Sequence, residues 1–483
     1  MLHYAETHFR LPVSRLFRKE PVILVDAPFQ VCPKLPCPVW LIIRNANRFP
    51  VCINEIYGEW ENANGQSISF KLPIQKHFNG KFHFEELDFE KPQGPGIWSL
   101  KIFIKYEVGK NSKICERWNY PFLQPRPLMV NFLKEPPPKP DGWLAGDVHC
   151  HSSYTSDSVE FGAAPEVLQK AAKSTGLDFV CITDHSYDLL NAEKFKKLKT
   201  QIAKLNSTST PTIVTGEEIS CGNSKEQNVH LLSIGNENYV EGHGDGGRRW
   251  WNTSPDLPIQ KAIEKSEVFC FAAHPKIEML HLEKILLKRG HWDFKDLTEN
   301  RIHGIEFWNG FRGQDFYEGR SLWIKCLLAG YMFLPIGGND AHGDLNCYTA
   351  VKRPLWSLKC NMEHIFGLVR TVIPSTEKNP FSEMPDNLYL TDGPALWLEK
   401  NIDNKFTLHA KSTADFGKFL SITIFRGERS ENSNYEKKEE MQIDDSLNLD
   451  FEILLNDSLY VRAECETSCG KFAMTSAMNV GKP

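Results

Sequence analysis

The sequence predicts an α/β protein: a mostly parallel sheet of about seven strands closed into a barrel, with β-rich segments on either side. Three observations predict it. From Trp143 to residue 384, apolar strand-like runs alternate with helix-like stretches, the rhythm of a parallel sheet. Residues 1–135 and 385–483 lack that rhythm and read as short strands broken by turn residues. Between the first two regions, Pro136-Pro137-Pro138-Lys139-Pro140 is a stiff extended linker. At 483 residues the chain has room for two or three domains. The expected division is an N-terminal β-sandwich at 1–135, a linker at 136–142, a barrel at 143–384 and a small C-terminal β domain at 385–483.

The elements follow in order. In the first region Pro21-Val22-Ile23-Leu24-Val25, Val39-Trp40-Leu41-Ile42-Ile43 and Trp98-Ser99-Leu100-Lys101-Ile102-Phe103-Ile104 read as strands. The last alternates apolar and polar residues, as a half-buried antiparallel strand does. In the middle region strands are expected at 177–183, 212–215, 229–234, 268–273, 302–307 and 332–336. Helices are expected at 165–173, where Gly176 marks the end, and at about 191–205, 257–266, 281–289 and 316–329. In the last region Ala395-Leu396-Trp397-Leu398-Glu399, Phe419 to Phe425 and Leu459 to Ala463 read as strands, and the charged run 429–445 as a loop.

Composition excludes several classes. Hydrophobic residues make up 41% of the chain, which is ordinary for a globular protein. A formal net charge of −5 gives no basic field for non-specific nucleic-acid binding, so only a local basic groove would restore a nuclease reading. The 13 cysteines are scattered, many inside apolar runs, and none shows zinc-ribbon spacing. Buried reduced thiols and a cytoplasmic location are therefore expected. The N-terminus carries charges throughout and does not read as a signal peptide, and no run reaches the roughly 18 apolar residues of a membrane helix.

The chemistry gathers in the middle region. In Asp147-Val148-His149-Cys150-His151 and Asn339-Asp340-Ala341-His342 two metal-capable side chains stand one residue apart, and on a strand such residues share a face. His185 ends Ile182-Thr183-Asp184-His185, Glu218 closes Thr215-Gly216-Glu217-Glu218, and His274 ends Phe271-Ala272-Ala273-His274. His230 lies on a strand and Asp157 follows the first clamp. Any one histidine is more often a satisfied polar residue than a ligand. Nine residues at successive strand ends (His149, His151, Asp157, His185, Glu218, His230, His274, Asp340 and His342) together point to a metal centre.

These phrases, with Gly216-Glu217-Glu218 and Ala273-His274-Pro275, resemble the motifs of the PHP (polymerase and histidinol phosphatase) superfamily over about 145–345. Phe307-Trp308-Asn309-Gly310 and Leu390-Thr391-Asp392-Gly393-Pro394 resemble its carbaryl-hydrolase-like branch, in which a β domain often precedes the barrel. The resemblance implies a distorted (β/α)7 TIM-like barrel binding two or three divalent metal ions. It implies that the nine residues are ligands, with Glu218 as the bridging carboxylate and Glu217 as a lesser alternative. Asn339 and Ser158 depart from the usual Ser and Gly, at positions that are not ligands.

Zinc, manganese or iron suits mixed imidazole and carboxylate ligands. The expected function is a phosphoesterase that attacks a small, anionic substrate with metal-activated water, Asp340, His342, His274 and Glu218 being catalytic. The alternatives are hydrolysis of uncharged esters, carbamates or amides, or nuclease action. A non-enzymatic binding module is the reading from another class. Asp184 is expected to support a ligand from behind. Candidate substrate contacts are Arg248 and Arg249, in a Gly-rich insertion that reads equally as a lid or as a surface loop, together with Arg312 and Lys276. A homo-oligomer is compatible with the flanking β regions.

Overall fold

The computed structural model describes residues 20–119, 125–155, 162–245, 252–279, 281–346, 348–351, 358–361, 363–374, 380–401, 405–431, 433–443, 446–455 and 458–480. Two sheets form near the N-terminus. One has three strands, Val22–Asp26, Trp40–Arg44 and Phe82–Glu86; the other has six, including the long strands Val51–Asn62, Ser67–Phe78 and Gly96–Val108. Gly96–Val108 alternates strictly, burying Trp98, Leu100, Ile102, Ile104 and Tyr106. These pack against Leu41 and Ile43 of the smaller sheet in one core. Each such buried side chain contributes roughly 1.5–3 kcal/mol.

The rest of the chain is organised by one mixed sheet of 14 strands. In spatial order its first seven are Leu334–Gly338, Gly304–Asn309, Phe269–Ala273, Asn228–Ile234, Thr212–Gly222, Phe179–Ile182 and Trp143–Cys150. The sheet then continues without a break through Arg370–Pro374, Tyr389–Thr391, Phe472–Thr475, Tyr460–Thr467, Phe419–Glu428 and Tyr435–Glu440. Ala395–Lys400, Lys405–Lys411 and Asn448–Leu454 form a further small sheet over it, sharing a core that includes Leu398, Phe406, Ile424 and Val461.

This corrects the expected fold class. The chain is β-rich, 43% strand and 16% helix, with seven helices among the described residues, rather than an α/β (β/α)7 TIM-like barrel. Two local features account for the difference. Thr212–Gly222 returns through a short turn directly into Asn228–Ile234, and both the step to that strand and the next one, to Phe269–Ala273, are antiparallel. No crossover helix is needed there. Trp143–Cys150 also pairs antiparallel with Arg370–Pro374, so the sheet runs on into the C-terminal strands.

Two helices cover the start of this sheet. Pro165–Thr175 begins with Pro at its first turn and ends at Gly176, whose φ of 77° is the left-handed conformation that glycine adopts without strain. Ala192–Thr208 begins at Asn191, whose side chain accepts a hydrogen bond from the Lys194 amide. Among the described residues no helix is long and apolar enough to cross a membrane.

Candidate metal centre

The chelating phrases meet because the sheet curls. Its edge strand Leu334–Gly338 comes beside the end of Trp143–Cys150, where Cys150 and Ala341 form a parallel bridge. The His151 amide donates to the Ala341 carbonyl at 2.9 Å and the Asp340 amide to the His149 carbonyl at 2.8 Å. His185, just beyond Phe179–Ile182, bridges to Glu218. Glu218 lies inside Thr212–Gly222 rather than at a strand end, because that strand runs on to pair with Asn228–Ile234. Strand alternation sends Glu217 the other way, where it accepts from Asn236 and the Val240 amide. His274 and Asp340 have φ values of 25° and 49°, unfavourable for side chains with a Cβ.

Eight of the nine predicted ligands converge. The Glu218 Oε2 atom lies 2.8 Å from His185 Nδ1, 3.3 Å from His151 Nε2 and 3.5 Å from His149 Nε2. Its Oε1 lies 2.6 Å from His230 Nδ1 and 2.9 Å from His274 Nε2. Asp340 Oδ1 is 3.0 Å from His151 Nε2 and 3.5 Å from His149 Nε2. The His342 ring stacks on His151 with centroids 4.0 Å apart. Three overlapping donor groups result: His151, His185 and His342; His149, His151, Glu218 and Asp340; and His185, Glu218 and His230. Asp157 lies outside the described residues.

Proton accounting shows that this donor set fits metal ions. The His149 Nδ1 nitrogen faces both Glu306 oxygens at 3.0 Å and donates there, which leaves Nε2 as a lone pair. Thr155 donates its hydroxyl hydrogen to Asp184, so it accepts from His151 Nδ1 at 3.2 Å; His151 Nε2 is again a lone pair. These two lone pairs lie 3.3 Å apart and face two carboxylate oxygens. Among the described residues Glu218 Oε2 has no hydrogen bond of acceptable geometry, despite its three imidazole neighbours. Acceptors aimed at acceptors in a buried site are balanced by cations.

Both central carboxylates are held ionised. Burial would push the Glu218 carboxyl up, but His230, His185 and His149 outweigh it and hold the group well below its usual range. Burial opposes Asp340 ionisation as well, and His149 and the His151 hydrogen bond reverse it. Burial, then His342 and His185, lowers His151, which keeps its nitrogens available for coordination. His149 and His230 go the other way: burial lowers them, but neighbouring carboxylates overcome it and raise His149 well above the ordinary value and His230 to about 9, so without a cation these rings hold a proton that an ion would displace to free the lone pair.

Asp184 lies beside the cluster, accepting from the Ser152 and Thr155 amides and hydroxyls at 2.7–3.0 Å. Two further carboxylates escaped the sequence reading. Glu306 orients His149. Asp245 accepts from Ser220 and Arg289 and lies 2.9 Å from His230 Nε2, fixing that ring. Asp245 sits in the Gly-rich insertion, whose Arg248 and Arg249 lie outside the described residues. Arg312 donates to the Gly470 carbonyl at 2.9 Å and covers the Phe472 ring. Lys276 donates to the Trp292 carbonyl at 3.0 Å. Neither belongs to the three donor groups.

No family model and no curated protein matches this chain. Solved structures similar to it include an FMN-binding β-glucuronidase from Facaelibacterium prausnitzii L2-6, at 10% identity, 95% of this chain, 74% of that chain and a TM-score of 0.19. Another is a glycosyl hydrolase family 2 member from Bacteroides cellulosilyticus DSM 14838, at 12% identity, 95% and 63% coverage and a TM-score of 0.18. A third is a putative β-galactosidase from Bacteroides fragilis, at 11% identity, 95% and 73% coverage and a TM-score of 0.17. At these TM-scores the likeness carries no argument about the fold or the activity of this chain. Nothing in the comparisons points to the PHP superfamily, so that resemblance, with the PHP domain and TIM-like barrel it implied, is corrected. Its motifs are a few residues long; they specify local chelating geometry, which different architectures can carry.

Proposed function

We propose that the chain is a metal-dependent hydrolase acting on a small phosphoester. The observation that carries this reading is the convergence of His149 Nε2, His151 Nε2, Glu218 Oε2 and Asp340 Oδ1, lone pairs and carboxylate oxygens 3.0–3.5 Å apart. The overlapping donor groups would hold two or three divalent ions, of which zinc, manganese and iron suit these ligands. Bound there, such ions would lower the pKa of water towards about 7 and polarise a phosphoryl oxygen.

The chain's own residues do the rest. Glu306 and Asp184, the latter through Thr155, set the tautomers of His149 and His151. Glu218 is shared by two of the three donor groups. Asp340, with 17% of its side chain exposed against 7% or less for the cluster's other acid and histidines, is placed to exchange a proton with the leaving oxygen. Two carboxylates among the grouped donors do not neutralise two or three divalent ions, so the loaded site favours an anionic substrate.

The test is metal analysis of protein purified without added metal, followed by turnover of p-nitrophenyl phosphate, bis-p-nitrophenyl phosphate and naphthyl acetate. Metal-dependent turnover greatest for a phosphate ester is expected. Turnover of naphthyl acetate alone would replace the phosphoester reading, and activity unchanged by chelation would end the metal reading.

A further inference from the structure

We propose that Asn309 is a substrate-recognition residue of this centre, and that it selects phosphate monoesters whose leaving alcohol carries a neighbouring hydroxyl. This deepens the hydrolase reading and rests on it. Asn309 ends the strand Gly304–Asn309 and pairs with Gly338 of the parallel neighbour. Paired residues point to the same face of a sheet. A Cβ at Gly338 would lie 2.6 Å from His149 Cβ and 3.0 Å from Glu306 Oε1, so this face looks onto the wall of the histidine cluster. Trp308 turns the other way, against Phe316 and Phe472.

The Asn309 side chain is only 5% exposed, yet among the described residues neither its Oδ1 nor its Nδ2 has a hydrogen-bond partner. A buried amide in that state is costly and calls for a ligand. Its backbone is pinned: the Gly310 amide donates to Gly338 and the Trp308 indole donates to Gly310, both at 2.9 Å. The amide is thus held in place before substrate arrives. An asparagine offers donor and acceptor together. Its natural complement at a phosphoester centre is a non-bridging phosphoryl oxygen for Nδ2 and a substrate hydroxyl for Oδ1.

The experiment uses the full-length metal-loaded protein and the variants Asn309→Leu and Asn309→Ala. Inorganic phosphate binding is measured by calorimetry, bound metal by elemental analysis, and kcat/KM for glycerol 2-phosphate and phenyl phosphate. Phosphate Kd should weaken about 10-fold in both variants, the size of one lost hydrogen bond to a charged group. Metal stoichiometry should stay at the wild-type value, and kcat/KM should fall about 10-fold further for glycerol 2-phosphate than for phenyl phosphate. Asn309→Leu should keep or raise the Tm, because it removes an unsatisfied buried amide. Unchanged phosphate affinity, an equal loss on both esters, or metal loss in both variants would overturn the proposal while leaving the hydrolase reading in place. A wild type that binds neither metal nor phosphate would overturn both.

Discussion

Two buried charge clusters in this protein are built to opposite rules. Near the C-terminus, Arg462 is fully enclosed and every charge around it has a complement. Its Nε and Nη2 donate to the two Glu436 oxygens at 2.6 and 2.7 Å, and its Nη1 donates to Glu464. Tyr460 donates to Glu436 at 2.9 Å, Arg320 pairs with Glu464 at 2.9 Å, and the guanidinium lies 3.9 Å from the Phe425 ring centre. Around Arg462 itself donors meet acceptors, as a buried ion network requires. In the histidine cluster, once Glu306 and Thr155 have fixed the tautomers, lone pairs meet lone pairs. Both clusters are buried and charged, but the first is complete in itself, whereas the second leaves donor atoms facing one another that the proposed cations would join.

The comparison can be broken by substitution, and the largest effect is expected at its centre. Glu218→Ala removes the carboxylate shared by two of the three donor groups and should strip most of the bound metal and abolish metal-dependent turnover; full activity in the purified variant would sink the assignment. Arg462→Ala leaves Glu436 and Glu464 without their main partner and should cost about 3–5 kcal/mol in denaturant unfolding. Its metal content should match wild type under native conditions, and a matching loss of metal would show that the two clusters are not independent.

Smaller effects should sharpen the distinction. Glu306→Gln keeps an acceptor but loses the charge behind His149, and chelator competition should show metal affinity lower by roughly 10–100-fold. An unchanged affinity would leave Glu306 a packing role alone. Arg312→Ala should lower stability by about 1 kcal/mol through loss of the Gly470 hydrogen bond and the Phe472 contact, with no change in KM for phosphate esters. A raised KM would return Arg312 to the substrate contacts expected from sequence.

The donor set was more legible than the architecture around it. His149 with His151 and Asp340 with His342 could be read because alternation on a strand is a property of two neighbouring residues. Strand pairing is not local in that sense. Nothing within Asn228–Ile234 states that it pairs antiparallel on both sides, although the turn Asn223-Ser224-Lys225-Glu226-Gln227 before it was a usable hairpin signal. The continuation of the sheet from Trp143–Cys150 to Arg370–Pro374 joins segments more than 200 residues apart and left no local trace. Glu306 and Asp245 were missed for a related reason. One carboxylate in an apolar strand and one in a Gly-rich loop carry no sign of the imidazole each will meet.

The most direct measurement is the metal stoichiometry of the wild type beside Glu218→Ala, by elemental analysis after equilibration with zinc or manganese and removal of loosely bound ions. The account predicts two or three ions per wild-type chain, a loss of most of them in the variant, and a Tm that rises with free metal concentration. A wild type that retains less than about one ion per chain, with a Tm indifferent to metal, would contradict it, since one bound ion is the least that makes stability depend on metal.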